Sequence, residues 1–476
     1  MTAVSPRADL TTSPTAPASE PGAAHAPRAG TPAGTPPEAP RRAGRLPALD
    51  VLRGLAILGT LLTNIWIFSG VASNVGDVAD ESARSFAAVA FQNVLALTTD
   101  GKFIGLLTIM FGIGLEIQRQ SAVRRGDAWP GTYPWRAGLL ILDGLLNYFF
   151  IFEFDVLMGY GSTALVVCFI MARSPRAQKI WMAIGIAAHL AHLSYMTWGE
   201  RVFSSASLER ATSALDADPT DLAARQELAR VSGRSVAEID AEFARLSAES
   251  ALHGDTSSYW AMVHERATNF VGGRGEIPIM FTMGLGLFLV GAHLYRAGLF
   301  LPEGARLRRW VMGIGFGIGI PLDWAARFPF ADLAGPWSRY FTSTVVAFGV
   351  LAAIAAFYAR GRRPGIIGRP LSYVGKMALT CYILQNLICS LIFYDYGLGL
   401  ARRFPDVDNT VLTMVVYAVV CAMLITLSWA WLRRFPRGPV EWVWHLSYEA
   451  ICRVLARRAQ KRALRRAGSD TPAPVS

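Results

Sequence analysis

Charge is scarce in this sequence. Asp, Glu, Lys and Arg make up 17% of its 476 residues, while 52% are apolar and the mean hydropathy is +0.32. Soluble domains carry about a quarter charged residues, so a soluble protein of two or three domains is excluded. Cysteine is sparse as well: Cys168, Cys381, Cys389, Cys421 and Cys452, with no CxxC pair. That pattern offers neither a disulfide framework nor a zinc site. Of the seven histidines, His189 and His192 share a helix face. They have no evident third ligand, so no metal is expected. Walker, GxSxG and HExxH motifs are missing, which removes the common nucleotide, serine-hydrolase and zincin chemistries. The net charge of +11 is split into short basic clusters between apolar runs. Such clusters set topology and attract anionic lipid; they are not a nucleic-acid footprint.

What is present is a series of apolar runs of nearly membrane-spanning length. Residues 1–44 are rich in Pro, Ala, Thr and Gly and read as a disordered tail without a signal-peptide core. Ten spans are expected, at about 45–69, 103–117, 136–152, 155–172, 178–198, 277–295, 308–326, 339–359, 377–394 and 411–432. Residues 199–276 interrupt them with thirteen acidic and eight basic residues and read as a small helical insertion. Ser235 and Glu238 mark a capping box within it. Residues 433–476 form a basic segment with ten Arg/Lys against three acidic residues. With ten spans, every basic cluster falls on the side of both tails. The positive-inside rule then puts both termini in the cytoplasm and the insertion outside. The fold class is therefore all-α: a polytopic transmembrane bundle with membrane helices at 45–198 and 277–432.

Polar residues inside such runs are the candidates for function. Asp50 and Arg53 open the first span, and Arg53, Ile57, Thr60 and Asn64 form one stripe about 16 Å long. Lys102 enters the second span, which carries Glu116 near its exit. Asp143 and Asn147 lie one turn apart in the third. Asp155, at the start of the fourth, is placed to cap it. In the ninth, Tyr382, Gln385, Asn386 and Cys389 fall at i, i+3, i+4 and i+7 and must turn from lipid. These stripes serve either as interhelical hydrogen bonds or as walls of a hydrated chamber between spans one, two, three and nine. Glu116, Asp143, Asp155 and the His189/His192 pair are the groups able to move a proton.

Three stretches together resemble the bacterial YeiB-like family, the domain of unknown function numbered 418. They are Leu49-Asp-Val-Leu-Arg-Gly54, Gly375-Lys-Met-Ala-Leu-Thr-Cys-Tyr-Ile-Leu-Gln385 running on to Gly397-Leu-Gly399, and Arg437-Gly-Pro-Val-Glu-Trp-Val-Trp444. Gly101-Lys-Phe-Ile-Gly105 and Phe111-Gly-Ile-Gly114 also fit. The first helix is similar, more distantly, to that of the acyltransferase-3 enzymes, where an Arg-x10-His pattern stands, and to the related first helix of the heparan glucosaminide acetyltransferase group. Here the pattern ends in Asn64, and Asn147 stands where the YeiB-like pattern tends to a histidine. Asparagine cannot act as a general base at neutral pH.

The resemblance implies a multi-pass protein of a bacterial plasma membrane that transfers an acyl or acetyl group to an envelope sugar or lipid-linked acceptor. Acyl-CoA would be the donor, with no bound cofactor. Arg53 and Lys102 would attract its phosphates, while Tyr382, Gln385 and Asn386 orient the acceptor and Asp50, Asn64 and Asn147 line the site. The expected partners are membrane lipids, not nucleic acid. Two other readings stay open: a transporter or lipid flippase, and a non-catalytic membrane partner that uses 199–276 as its recognition surface.

Overall fold

The computed structural model describes residues 46–69, 86–203, 212–215, 221–232, 235–237, 258–270, 274–328, 335–403 and 409–469. The tail 1–44 and about half of the 199–276 insertion lie outside the described residues. So does Glu238 of the expected capping box.

Every regular element among the described residues is helical. In chain order they are α1 (Pro47–Ser69), α2 (Phe86–Thr99), α3 (Lys102–Arg124), α4 (Tyr133–Phe150), α5 (Leu157–Ile170) and α6 (Pro175–Phe203). Two short helices follow, α7 (Leu222–Ser232) and α8 (Tyr259–Thr268), then α9 (Glu276–Arg296). Next come α10 (Ala305–Met312), α11 (Gly319–Arg327), α12 (Ser343–Tyr358), α13 (Gly368–Lys376) and α14 (Ala378–Phe393). The chain ends with α15 (Asn409–Leu432) and α16 (Pro439–Ser469). Gly313–Ile318 and Ser338–Thr342 wind as π-turns before α11 and α12, a widening that often accompanies functional sites.

Among the described residues six stretches are long and apolar enough to cross a membrane: Pro47–Ser69, Asn93–Arg124, Pro175–Trp198, Glu276–Arg296, Gly335–Tyr358 and Thr410–Leu432. A seventh is obtained if α13 and α14, bent by 90° at their junction, form one broken span. The expectation of ten is therefore met in part. The stretches expected at 136–152, 155–172 and 308–326 are helical but fall short. Helix α4 carries Arg136, Asp143 and Asn147, and α5 has only 14 residues. The third is divided among α10, a π-turn and α11, with Arg308, Arg309, Asp323 and Arg327 along it.

Lipid contact explains the outer faces. Ile180, Trp181 and Ile184 on α6, and Val411, Val415 and Val419 on α15, are exposed. Continuous apolar faces of that kind are unfavourable in water and natural against acyl chains. Inside, α1 lies along α13, while α9 packs against α3, α5 and α6. Small residues allow the approach: a Cβ on Gly54 would strike the Leu371 carbonyl, and one on Gly375 the Asp50 carbonyl. Among the described residues two large apolar cores result, beside a small one of Leu215, Ala224, Leu228 and Ala229. One large core joins the start of α1 with α3, α5, α9 and α12. The other joins the rest of α1 with α14 and α15.

Candidate intramembrane polar site

Helix α4 stops where the Asn147 carbonyl accepts the amides of both Ile151 and Phe152, each at 2.8 Å. The chain then turns back into the bundle and presents Asp155 just before α5. Asp155 Oδ2 accepts the Met158 amide at 3.1 Å, the capping bond expected of it. Its Oδ1 accepts two further donors, Asn147 Nδ2 at 2.9 Å and the Tyr382 hydroxyl at 3.2 Å. Space for the carboxylate comes from Gly144 on α4, where a Cβ would lie 2.6 Å from Oδ2. Thus three residues read separately in the sequence, Asn147, Asp155 and Tyr382, form one buried group.

One turn beyond Tyr382 on α14 are Gln385 and Asn386, both 0% exposed. None of their four side-chain nitrogen and oxygen atoms has a hydrogen-bond partner among the described residues, and neither does Asn147 Oδ1. A buried orphan of this kind costs about 1–3 kcal/mol, and buried polar groups are normally met by protein or by ordered water. These groups keep hydrogen-bonding capacity that the described residues do not use.

The start of α14 explains how that stripe is held. At Met377 (φ −118°, ψ 36°) the backbone leaves α13, and α14 departs at 90°. The exposed amides of the new helix are capped from a distance. Glu441, in the first turn of α16, accepts the Leu379 and Thr380 amides at 2.8 and 3.1 Å, and the Thr380 hydroxyl as well. Thr380 Oγ1 in turn accepts the Val440 amide at 3.1 Å. Two of the stretches that carried the family resemblance are therefore parts of a single joint.

The other expected site residues lie elsewhere. Arg53 stands 3.9 Å from Asp50 at the start of α1, in the turn whose Asp50 carbonyl lies against Gly375, and its Nη2 lies near Gly114 of α3. Asn64 is half-buried, and Thr60 is satisfied by its own helix through the Ile57 carbonyl at 2.9 Å. Contact between α1 and α14 is apolar, through Ile57, Leu61 and Ile65 with Cys381, Cys389 and Phe393. Asp143 lies one turn before Asn147, and its Oδ2 is buried without a partner among the described residues. Glu116 is bound by Arg119 at 2.9 and 2.8 Å and by Gln120 at 2.9 Å, at the far end of α3. His189 and His192 both face the Thr282 hydroxyl at 3.3 Å, a packing contact. Among the described residues no group of three or more His, Cys, Asp or Glu is placed to hold a metal.

Lys102 belongs to a second polar cluster that sequence reasoning did not assemble. Gly101, at φ +74° and pressed against the Arg339 carbonyl, ends α2 and turns Lys102 inward. Lys102 Nζ reaches Asp323 Oδ2 at 2.6 Å. Arg327 bridges Asp323 at 3.1 Å and Asp100 at 2.8 Å, and Arg339 meets Asp100 at 3.1 Å. Thr342 and Ser343 donate to Asp323 Oδ1 at 2.6 and 3.1 Å. The cluster borders a cavity of about 280 Å³ lined by Phe103, Ile320, Val346 and Val350. The signal was available: Asp323 and Arg327, at i and i+4, interrupt an apolar run, and intramembrane charges seek partners. Lys102, engaged by Asp323, also lines that cavity.

Comparison with known proteins adds a family. Residues 294–449 match the family described as "Protein of unknown function (DUF418)". "Uncharacterized protein YeiB" of Escherichia coli (strain K12) is 28% identical over 416 residues, covering 83% of this chain and 94% of the relative. Over most of its length the chain is similar to YeiB. "Uncharacterized protein YxaH" of Bacillus subtilis (strain 168) is 27% identical over 429 residues, covering 86% of the chain and 96% of the relative. No solved structure matches. The DUF418 segment holds Tyr382, Gln385, Asn386 and the Glu441 cap, together with Asp323, Arg327 and Arg339, while Asp155 and Lys102 lie before it. Neither relative's name supplies an activity, so the resemblance to acyltransferases rests on the first helix alone.

Proposed function

We propose that this membrane protein transfers an acyl group to a hydroxyl-bearing acceptor held at the Asp155–Tyr382 centre. One observation carries the reading: a buried carboxylate, oriented by Asn147 and Tyr382, shares a site with amide groups that have no partner among the described residues. Carboxylates and amides together are the groups that orient sugar-like hydroxyls. Asp155 would take the acceptor's hydroxyl proton. The acceptor oxygen then bonds to the thioester carbonyl carbon of acyl-CoA, and the carbon–sulfur bond breaks. The thiolate leaves and recovers the proton from Asp155. Gln385 and Asn386 orient the acceptor, and Arg53, half-exposed at the start of α1, draws the donor's phosphates. The setting is a bacterial plasma membrane with the basic clusters on the cytoplasmic side.

The test is incubation of the purified protein with labelled acyl-CoA and an envelope extract. Labelled product is expected, falling about 10²–10⁴-fold in Asp155→Asn. Product formation unchanged by that substitution, in protein that elutes like the parent, overturns the assignment. A second reading is favoured by the 90° break between α13 and α14, because transporters build sites at broken helices. Passage of an unmodified sugar or lipid through proteoliposomes, with no covalent product, selects transport instead.

A further inference from the structure

Far from the Asp155 centre, the start of α6 and the end of α9 enclose a cavity of about 300 Å³. Three basic side chains line it: Lys179 from α6, and His293 and Arg296 from α9. Met182 and Leu289 form its apolar wall. Arg296 is held in place, with Nη1 donating to Gln178 Oε1 at 2.9 Å and Nε lying 4.0 Å from Glu116 Oε1. That carboxylate is already occupied by Arg119 and Gln120, so it does not cancel the basic rim. From this rim the α6 face that carries Lys179 and Met182 continues, one turn on, to the exposed Ile186, which packs on Gly286 of α9.

We propose that this cavity binds the phosphate headgroup of an anionic phospholipid, with the acyl chains lying along α6. The polar rim alone would suit any phosphate. Continuity with this apolar, exposed face selects a lipid, because a free anion has no use for it. A basic recess between membrane helices is the usual form of such sites, and a tryptophan near the start of α6, Trp181, is typical of headgroup depth.

The experiment uses the full-length chain, purified in detergent and stripped of lipid. Binding of phosphatidylglycerol, phosphatidylcholine and inorganic phosphate is measured separately by native mass spectrometry and by thermal shift. Phosphatidylglycerol is expected to bind at least tenfold more tightly than phosphatidylcholine. The preference should disappear in the double variant Lys179→Gln/His293→Gln and persist in Lys179→Arg. Lys179 and His293 are exposed, so both variants should fold; equal phosphatidylcholine binding by parent and variants checks this. Equal affinity for the two lipids, or an unchanged preference in the double variant, overturns the proposal. Protection by inorganic phosphate as strong as that by phosphatidylglycerol assigns a free-anion site and also overturns it.

Discussion

Two of the buried polar clusters among the described residues, at Asp323 and at Asp155, differ in completeness. Around Asp323 and Asp100, three cations and two carboxylates are interlocked with Thr342 and Ser343, and both carboxylates are met on each oxygen. Only Arg339 Nε in that cluster is without a partner among the described residues. Around Asp155 the carboxylate is similarly satisfied, but the amides of Gln385 and Asn386 beyond it are not. Closed networks give rigidity, since each group already has what a guest could offer. An open one costs stability in the empty protein, and folding does not require it. The Asp323 cluster therefore reads as a clamp joining α3, α11 and α12, and the α14 stripe as a surface kept for something else.

Substitution should separate the two. Asp323→Ala leaves Lys102 and Arg327 buried without their shared carboxylate. Loss of one member of a buried pair costs about 3–5 kcal/mol, so the detergent-solubilised protein should melt well below the parent or fail to accumulate. A melting temperature within a degree of the parent would show that the clamp is not structural. The opposite sign is expected at the other cluster. Gln385→Leu with Asn386→Leu removes four orphaned atoms and keeps similar volume. Each relieved residue should return about 1–3 kcal/mol, raising the melting temperature while product formation or flux collapses. A fall in stability would mean that the amides have structural partners after all, and the comparison between the clusters would fail.

The architecture was legible where chemistry is local. Apolar runs alone place α9 at 277–295 and α15 at 411–432, against Glu276–Arg296 and Asn409–Leu432 in the structure. Helical spacing put Tyr382, Gln385 and Asn386 on one face, and all three are buried. What could not be read were encounters over long sequence separations. Lys102 and Asp323 are 221 residues apart, Asp155 and Tyr382 are 227, and Leu379 and Glu441 are 62. Periodicity within one helix says nothing of which neighbour it meets. The single chamber expected between spans one, two, three and nine depended on such encounters, and the structure distributes its residues among separate places. Helix α13 was hidden for another reason: Arg369 and Lys376 sit in its first and last turns, so residues 368–376 look like a basic connection. The turn at Met377 is stable because Glu441 caps the new helix from the C-terminal segment, a partner no local pattern announces.

Smaller effects probe how the open cluster is held. Glu441→Gln weakens an acceptor of two backbone amides at the joint. Loss of a cap costs about 0.5–2 kcal/mol, and the change should appear first as faster hydrogen exchange at Leu379 and Thr380. Exchange unchanged there would mean that the joint is held by α1 packing against Gly375 instead. Tyr382→Phe is the finest cut. It deletes one bond to Asp155 and keeps the ring, so stability should fall by only about 0.6 kcal/mol, the average for a hydrogen bond between membrane helices. Function should respond more strongly, because Asn147 would then orient the carboxylate alone. A structural hydroxyl would lower the melting temperature and leave turnover intact. An orienting one does the reverse, and that split assigns Tyr382 either to the frame of the bundle or to the open cluster.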